Sequence, residues 1–286
     1  MNMSEQNTLN IKKLERVDES FYFDKNARYD LIFKFNGNKF QALAFDSDRK
    51  KFVLQAEFHL FDGKKQYKEV LANTDFLQKD FARVVYVNTS TQHALVPEPF
   101  YDLNKEEELL NFQNTEIELH KIHRSKIPLL NAKMIYAMDI QELAMVRSKF
   151  PDVEVVHSSA CLFTYIQHAG MQGYTMYINL NEDQFELALM QNNNCILYNT
   201  FKFKTIEDFI YFPVYISEQF GIPTAQLQIV LMGDVEAEDE RHAMLKNYFS
   251  NIFFASIDRK FEYASRIEKE KSIHRFAYLY NALLCE

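Results

Sequence analysis

No tryptophan occurs in the 286 residues, so Phe and Tyr supply the aromatic area. Aromatic residues pack well in strands, which favours a sheet-containing core over a helical bundle. Cysteine is scarce. Cys161, Cys195 and Cys285 are widely spaced and odd in number, as expected of reduced thiols, and no C-x-x-C pair is present to make a zinc knuckle or a thioredoxin-like redox motif. Long apolar runs are missing too. No window reaches the roughly 18 apolar residues of a membrane span, and Met1 to Asn10 is polar, without a run of signal-peptide length. These absences lead us to expect a cytoplasmic protein with no membrane insertion. Positive charge is in deficit, with a formal charge of −8 and a pI of about 5.6, which argues against nucleic-acid binding because phosphates demand a cationic surface. Lys121, Arg124 and Lys126, beside His120 and His123, read as a solvated loop or helix end. The two histidines lack a third ligand nearby in sequence, so no metal site is assigned.

What is present is a repeat. A three-strand pattern runs from Leu31 to Leu60 and again from Tyr174 to Phe203. Lys34 to Leu43 falls on Asn179 to Ala188, and Leu54 to Leu60 falls on Leu197 to Phe203. A helical stretch, Lys68 to Phe81, and a β-branched strand, Arg83 to Val87, follow the first copy. After the second come a helix that Thr205 and Asp208 cap reciprocally and a strand, Leu227 to Met232, closing on Gly233. Each half therefore reads β-β-β-α-β.

Between the halves, Pro97 and Pro99 in the stretch from His93 to Tyr101 exclude a central ladder strand and set a rigid turn. Asn104 is expected to cap an acidic helix, Lys133 to Met138 reads as a strand, and Asp139 caps a helix that Pro151 stops. Val153 to His157 is a strand, and Ala160 to Gln167 a helix. Residues 1–29 read as a leader that ends on the first sheet. Glu238 to Phe254 has helical period, with a strand around Phe253 to Ile257. Ile273 to Cys285 places Phe276, Leu279, Tyr280 and Leu283 on one helical stripe, expected to dock across both halves. The fold class is α/β, in two lobes of residues 1–165 and 166–286 with mixed sheets flanked by helices.

This outline resembles the actin-like ATPase fold. Three stretches, Ala94-Leu95-Val96-Pro97-Glu98-Pro99-Phe100, Tyr198-Asn199-Thr200-Phe201 and Glu207-Asp208-Phe209-Ile210-Tyr211-Phe212, resemble one bacterial family, domain of unknown function 3822, from about Asp30 to Phe254. The resemblance implies a fold and leaves activity open. It also implies where a nucleotide would sit. Active members of the wider fold carry an Asp-x-Gly set in the first turn of each meander, for magnesium and phosphate. Here the triplets are Lys34-Phe35-Asn36 and Asn179-Leu180-Asn181, and the late glycine pair is reduced to Gly233 followed by Asp234. A lysine cannot ligate magnesium, and asparagine is a weak substitute for a carboxylate.

Each of these residues also has an ordinary reading. Asn179 and Asn181 suit a turn, and Gly233 a strand-to-helix turn. Phe209, Tyr211, Phe212 and Tyr215 spread around one helix, which points either to an exposed patch for a partner or to burial in the cleft between the lobes. The sequence thus reads as a non-catalytic module that needs no cofactor and contacts an unidentified protein, its oligomeric state left open. Two alternatives stand beside it. One is a divergent phosphotransferase holding ATP and magnesium, with Lys34 on phosphate and Asp46, Asp48 or Asp183 replacing the missing acid. The other is a small-molecule sensor that uses the interlobe cleft.

Overall fold

The computed structural model describes residues 11–23, 28–113 and 120–285. In chain order the elements are β1 (Ile11–Val17), α1 (Ser20–Phe23), β2 (Tyr29–Asn36), β3 (Lys39–Asp46), β4 (Lys51–Leu60), α2 (Tyr67–Asn73), β5 (Arg83–Asn88), β6 (His93–Pro97) and α3 (Glu106–Gln113). Next come β7 (His120–Ile127), β8 (Ala132–Asp139), α4 (Ile140–Lys149), β9 (Glu154–His157) and α5 (Ser158–Ala169). The chain continues with β10 (Tyr174–Leu180), β11 (Gln184–Gln191), β12 (Asn194–Lys202), α6 (Ile206–Gln219), β13 (Leu227–Gly233), α7 (Glu240–Lys246), β14 (Asn251–Phe254), β15 (Glu262–Tyr263) and α8 (Ser265–Glu268).

Two mixed sheets dominate. The first has the order β1-β4-β3-β2-β5-β9, with β15 also on β4, and the second β12-β11-β10-β13-β14. From the third strand of each meander inward the two share one pattern: two antiparallel pairings, then two parallel ones. Residues matched between the two stretches occupy matching ladder positions. Lys34 faces Gln41 across β2 and β3, and Asn179 faces Glu186 across β10 and β11.

Strand alternation sorts the residues into layers. The outer face of the first sheet, with Leu31, Phe33 and Phe35, packs on Val70 of α2 and Leu143 and Val146 of α4. On the second sheet, Met176, Ile178 and Leu180 pack on Phe209 of α6 and Leu245 of α7. The inner faces meet a shared core of Ile32, Leu43, Tyr177 and Val230, with α5 and the C-terminal residues Phe276, Tyr278 and Tyr280 between them. A third, three-stranded sheet, β6-β8-β7, stands beside this stack.

Several local expectations change. The leader contains a strand, because the free edge of β4 offers a ladder to which β1 pairs from Ile11 on Leu60 to Val17 on Leu54. The stretch after Lys68 is helical only to Asn73 and then turns as a 3₁₀ helix over Asp75–Gln78. His93–Pro97 is an edge strand before the expected turn, and Pro97 lies at its end, a position that suits a missing N–H. Asp102, not Asn104, supplies the capping oxygen, accepting from the Asn104 N–H at 2.9 Å. Lys121, Arg124 and Lys126 lie on β7 rather than in a loop or at a helix end, and Arg124 is spent on Glu106. The segment after Glu238 gives only the short α7 before β14. Ile273 to Cys285 forms 3₁₀ turns instead of an amphipathic helix, and its central residues, Phe276 to Ala282, are all buried, so that stretch needs no polar face.

At the junction of the sheets, His93, His123 and His157 gather round Tyr136 and Tyr198, with His93 and His157 ring centroids 5.1 Å apart. His93 Nε2 meets the Thr200 hydroxyl at 2.8 Å, and His157 Nε2 donates to the Ser90 carbonyl at 2.9 Å. Burial, with His157 beside it, holds His93 down at about 3, and burial holds His157 at about 4. Both rings are therefore neutral when folded, while an unfolded histidine titrates near 6.5. Their contribution is complete above pH 6.5 and is lost as the pH falls towards 4. The unfolding free energy from urea titration is expected to drop between pH 7 and 5, by about 1–2 kcal/mol for each of these two histidines. A His93→Gln variant is expected to show a shallower drop.

Candidate functional site

Lys34 points from the inner face of β2 into the gap between the two sheets, where only 3 % of it is exposed. Its Nζ donates to the Tyr278 hydroxyl at 2.5 Å. Burial pushes the Lys34 pKa down, and Asp234, Glu186 and Glu57 act against that push. Across the gap, Asn179 Nδ2 donates to Glu186 at 2.7 Å, and the same carboxylate accepts from Ser158 and Tyr198 at 2.9 and 2.8 Å. The Asn179 amide is near enough to Tyr278 to act on its ionisation, although its Oδ1 is buried without an aligned hydrogen bond.

A second cluster lies alongside. Arg275 reaches Glu57 at 2.5 Å, Asp234 at 2.9 Å and Glu236 at 3.4 Å, and Lys39 also pairs with Asp234. Glu57 further accepts from Gln41 at 2.7 Å. Burial alone would raise the Asp234 pKa, but Lys39 and Arg275 together hold it below the ordinary range. Residues from both sheets and the C-terminal segment thus satisfy one another.

The turns close the gap further. Gly37 (φ +55°) and Asn38 join β2 to β3, and the Asn38 side chain donates to Glu182 of the opposite turn at 3.3 Å. Asn36 ends β2, and the Asn181 N–H donates to Gln184 at 2.8 Å, as a turn residue does. Gly233 has φ +78°, and a Cβ there would lie 2.1 Å from the Leu180 carbonyl oxygen. The space left between Lys34, Asn36, Asn181, Gly233 and Asp234 is about 10 Å³. That is room for one water, not for a triphosphate. The residues do not fit magnesium-bound ATP, because the position of the first acid is a buried lysine and Asn179 is engaged by Glu186.

Two larger cavities flank the bridged turns. One, of about 590 Å³, is bordered by Lys64, Asp139, Glu142, Glu182 and Asp183. The other, of about 800 Å³, collects Glu182, Asp234, Glu236, Glu238, Asp239 and Glu240 against Lys39, Arg241 and Arg275. Carboxylates outnumber cations in both. Asp46 and Asp48 are remote from Lys34. Asp46 faces Tyr29 at the far end of β3, where it accepts from the Asp48 and Arg49 N–H groups.

The aromatic quartet divides. Phe209 is fully buried against Phe185 and Phe203, which removes it from any docking surface, and Phe212 is half-buried against Phe201. These contacts lie on the outer face of the second sheet rather than in the interlobe cleft. Tyr211 and Tyr215, 57 % and 44 % exposed, stack with centroids 5.5 Å apart. Among the described residues no group of three or more His, Cys, Asp or Glu side chains could hold a metal ion, and no helix is long and apolar enough to cross a membrane.

Sequence reasoning found Lys34, Asn179 and Gly233 but missed Glu57, Glu186, Arg275 and Tyr278. A signal existed for the strand residues. Gln41, Gln55, Glu57 and Glu186 are buried polar residues, each with an apolar residue on either side in its strand. Two stability predictions follow from the geometry. Arg275→Ala leaves Glu57 and Asp234 without their shared cation and is expected to cost about 3 kcal/mol in urea unfolding, with only partial rescue by Arg275→Lys. Gly233→Ala, which combines a backbone clash with a left-handed φ, is expected to cost about 3 kcal/mol or more by the same measurement.

Solved structures share this architecture. A Bacteroides thetaiotaomicron protein with an actin-like ATPase fold and unknown function superposes with a TM-score of 0.69 at 18 % identity, over 81 % of this chain and 92 % of that one. A chain of the PilM–PilN type IV pilus biogenesis complex gives 0.55 at 10 % identity, over 89 % and 97 %. At these identities the likeness establishes the fold, which is actin-like. No curated protein matches the sequence. Residues 18–252 match the family described as protein of unknown function (DUF3822), and the chain belongs to that family.

Proposed function

We propose that this chain is a non-catalytic, actin-like protein that acts by contacting another protein, its two lobes, residues 1–165 and 166–286, descending from a duplicated unit. One observation carries the reading. Where an actin-like ATPase would hold phosphate and magnesium, Lys34, Asn179, Glu57 and Asp234 are bonded to other parts of this chain, with Tyr278 and Arg275 from the C-terminal segment among the partners. Opening that space for a triphosphate would strand several buried charges at once.

A structural neighbour solved as part of a PilM–PilN complex supports a role in protein assembly. The Tyr211–Tyr215 pair is the candidate contact, since stacked exposed tyrosines offer rigid apolar area with hydroxyls at the edge. A cytoplasmic setting suits the three free cysteines. The phosphotransferase alternative is weakened, because Lys34 is committed to Tyr278. The flanking cavities keep a small-molecule sensor in view as a second reading.

Isothermal titration of the full chain with ATP and magnesium is expected to give no saturable heat at millimolar nucleotide. Micromolar, magnesium-dependent binding would overturn the proposal. In quantitative pull-downs, Tyr211→Ser combined with Tyr215→Ser is expected to deplete a specific co-purifying protein while the melting temperature stays unchanged.

A further inference from the structure

Away from the charged cluster, α5 meets the C-terminal segment along one face. Cys161, Thr164 and His168 share that face at i, i+3 and i+7 spacing. Cys285 Sγ lies 3.9 Å from Cys161 Sγ and 3.7 Å from Thr164 Oγ1, and Asn281 Oδ1 lies 3.2 Å from His168 Nδ1. The two sulfurs are thus at van der Waals contact, each as a free thiol.

Arg83 fixes the backbone beneath Cys285. Its guanidinium, paired with Glu154, donates to the Leu283 carbonyl at 2.8 Å and to the Cys285 carbonyl at 3.4 Å. The two thiols are unequal. Burial pushes the Cys161 thiol up, whereas contact with Cys161, the Thr164 hydroxyl and the Arg83 guanidinium holds Cys285 below the ordinary thiol range, against the effect of burial. Cys285 is 5 % exposed and Cys161 not at all, so an oxidant meets Cys285 first. Cys195 serves as the comparison, since burial pushes its thiol up to about 11.

We propose that Cys161 and Cys285 are a reversible redox site, joined by a disulfide when a peroxide reaches Cys285. The Cys285 thiolate attacks one peroxide oxygen, the O–O bond breaks and hydroxide leaves, which gives a sulfenic acid. The Cys161 sulfur then displaces the hydroxyl, its proton leaves with that group as water, and the S–S bond forms. The peroxide is reduced as the two thiols are oxidised. The sulfurs must close from contact to about 2.05 Å, a movement for which two side-chain torsions and the turn carrying Cys285 are available. The bond fastens to α5 the segment that supplies Arg275 and Tyr278 to the charged cluster. This site does not depend on the non-catalytic reading of that cluster.

The test treats the reduced full chain with hydrogen peroxide at neutral pH, blocks the remaining thiols with N-ethylmaleimide and maps the peptides by mass spectrometry. A Cys161–Cys285 linked peptide, two hydrogens lighter than its thiol form and lost on adding dithiothreitol, is expected. In the linked chain, amide exchange from Phe276 to Leu284 is expected to slow by about tenfold or more. Cys161→Ala is expected to leave Cys285 as a sulfenic acid that dimedone traps, whereas Cys285→Ala leaves Cys161 a thiol. Absence of the linked peptide, a disulfide through Cys195 in its place, or dimedone on Cys161 in the Cys285→Ala chain would overturn the assignment. Unchanged exchange in the linked chain would overturn the fastening of the segment.

Discussion

Buried charge must be answered by buried charge or by hydrogen bonds, and this requirement organises the centre of the molecule. Glu57, Glu186, Lys34 and Asp234 project from facing sheets into the same narrow space. None could remain there alone, since an unpaired ion in such a setting costs several kcal/mol. Between the sheets themselves, Lys39 pairs directly with Asp234. The C-terminal segment supplies the rest, with Arg275 between Glu57 and Asp234 and Tyr278 on Lys34, while Ser158 at the start of α5 answers Glu186. The same segment adds Tyr280 on Gln55 at 2.5 Å and buries Phe276 and Leu279 in the shared core. Its loss would expose the inner layer of both sheets together.

That arrangement also bears on function. A cleft that holds nucleotide must leave acids and backbone amides available for a ligand, whereas here they are consumed internally. The bridged turns, the glycine pressed against the Leu180 carbonyl and the acidic flanking cavities support the proposed non-catalytic reading from separate geometry. The space immediately around Lys34 and Asn179 is packed and hydrogen-bonded like the core.

Much of the layering was legible beforehand, for a physical reason. The meanders alternate apolar residues with period two, the capping box at Thr205 is a local contact, and Asp139 needs only the next turn of its own helix. Local features of this kind report themselves in a short window of sequence. Where partners were distant, legibility failed. Ile11–Val17 is a strand only because β4 has a free edge, and the basic run from Lys121 to Lys126 is a strand only because β8 lies beside it. The aromatic run from Phe276 to Tyr280 shows helical spacing, yet enclosure on all sides removes the need for a stripe.

The sequence by itself determined the α/β class, the order of the strands and the presence of Lys34 and Asn179 at matching positions, because each depends on residue identity and near-neighbour spacing. Only the tertiary structure decided that Lys34 answers to Tyr278, 244 residues away, that Arg275 joins Glu57 to Asp234, and that Phe209 turns inward while Tyr211 turns out. Ion pairs and burial depend on distance in space. No spacing along the chain reports which buried charge will meet which partner once two sheets close on a third segment.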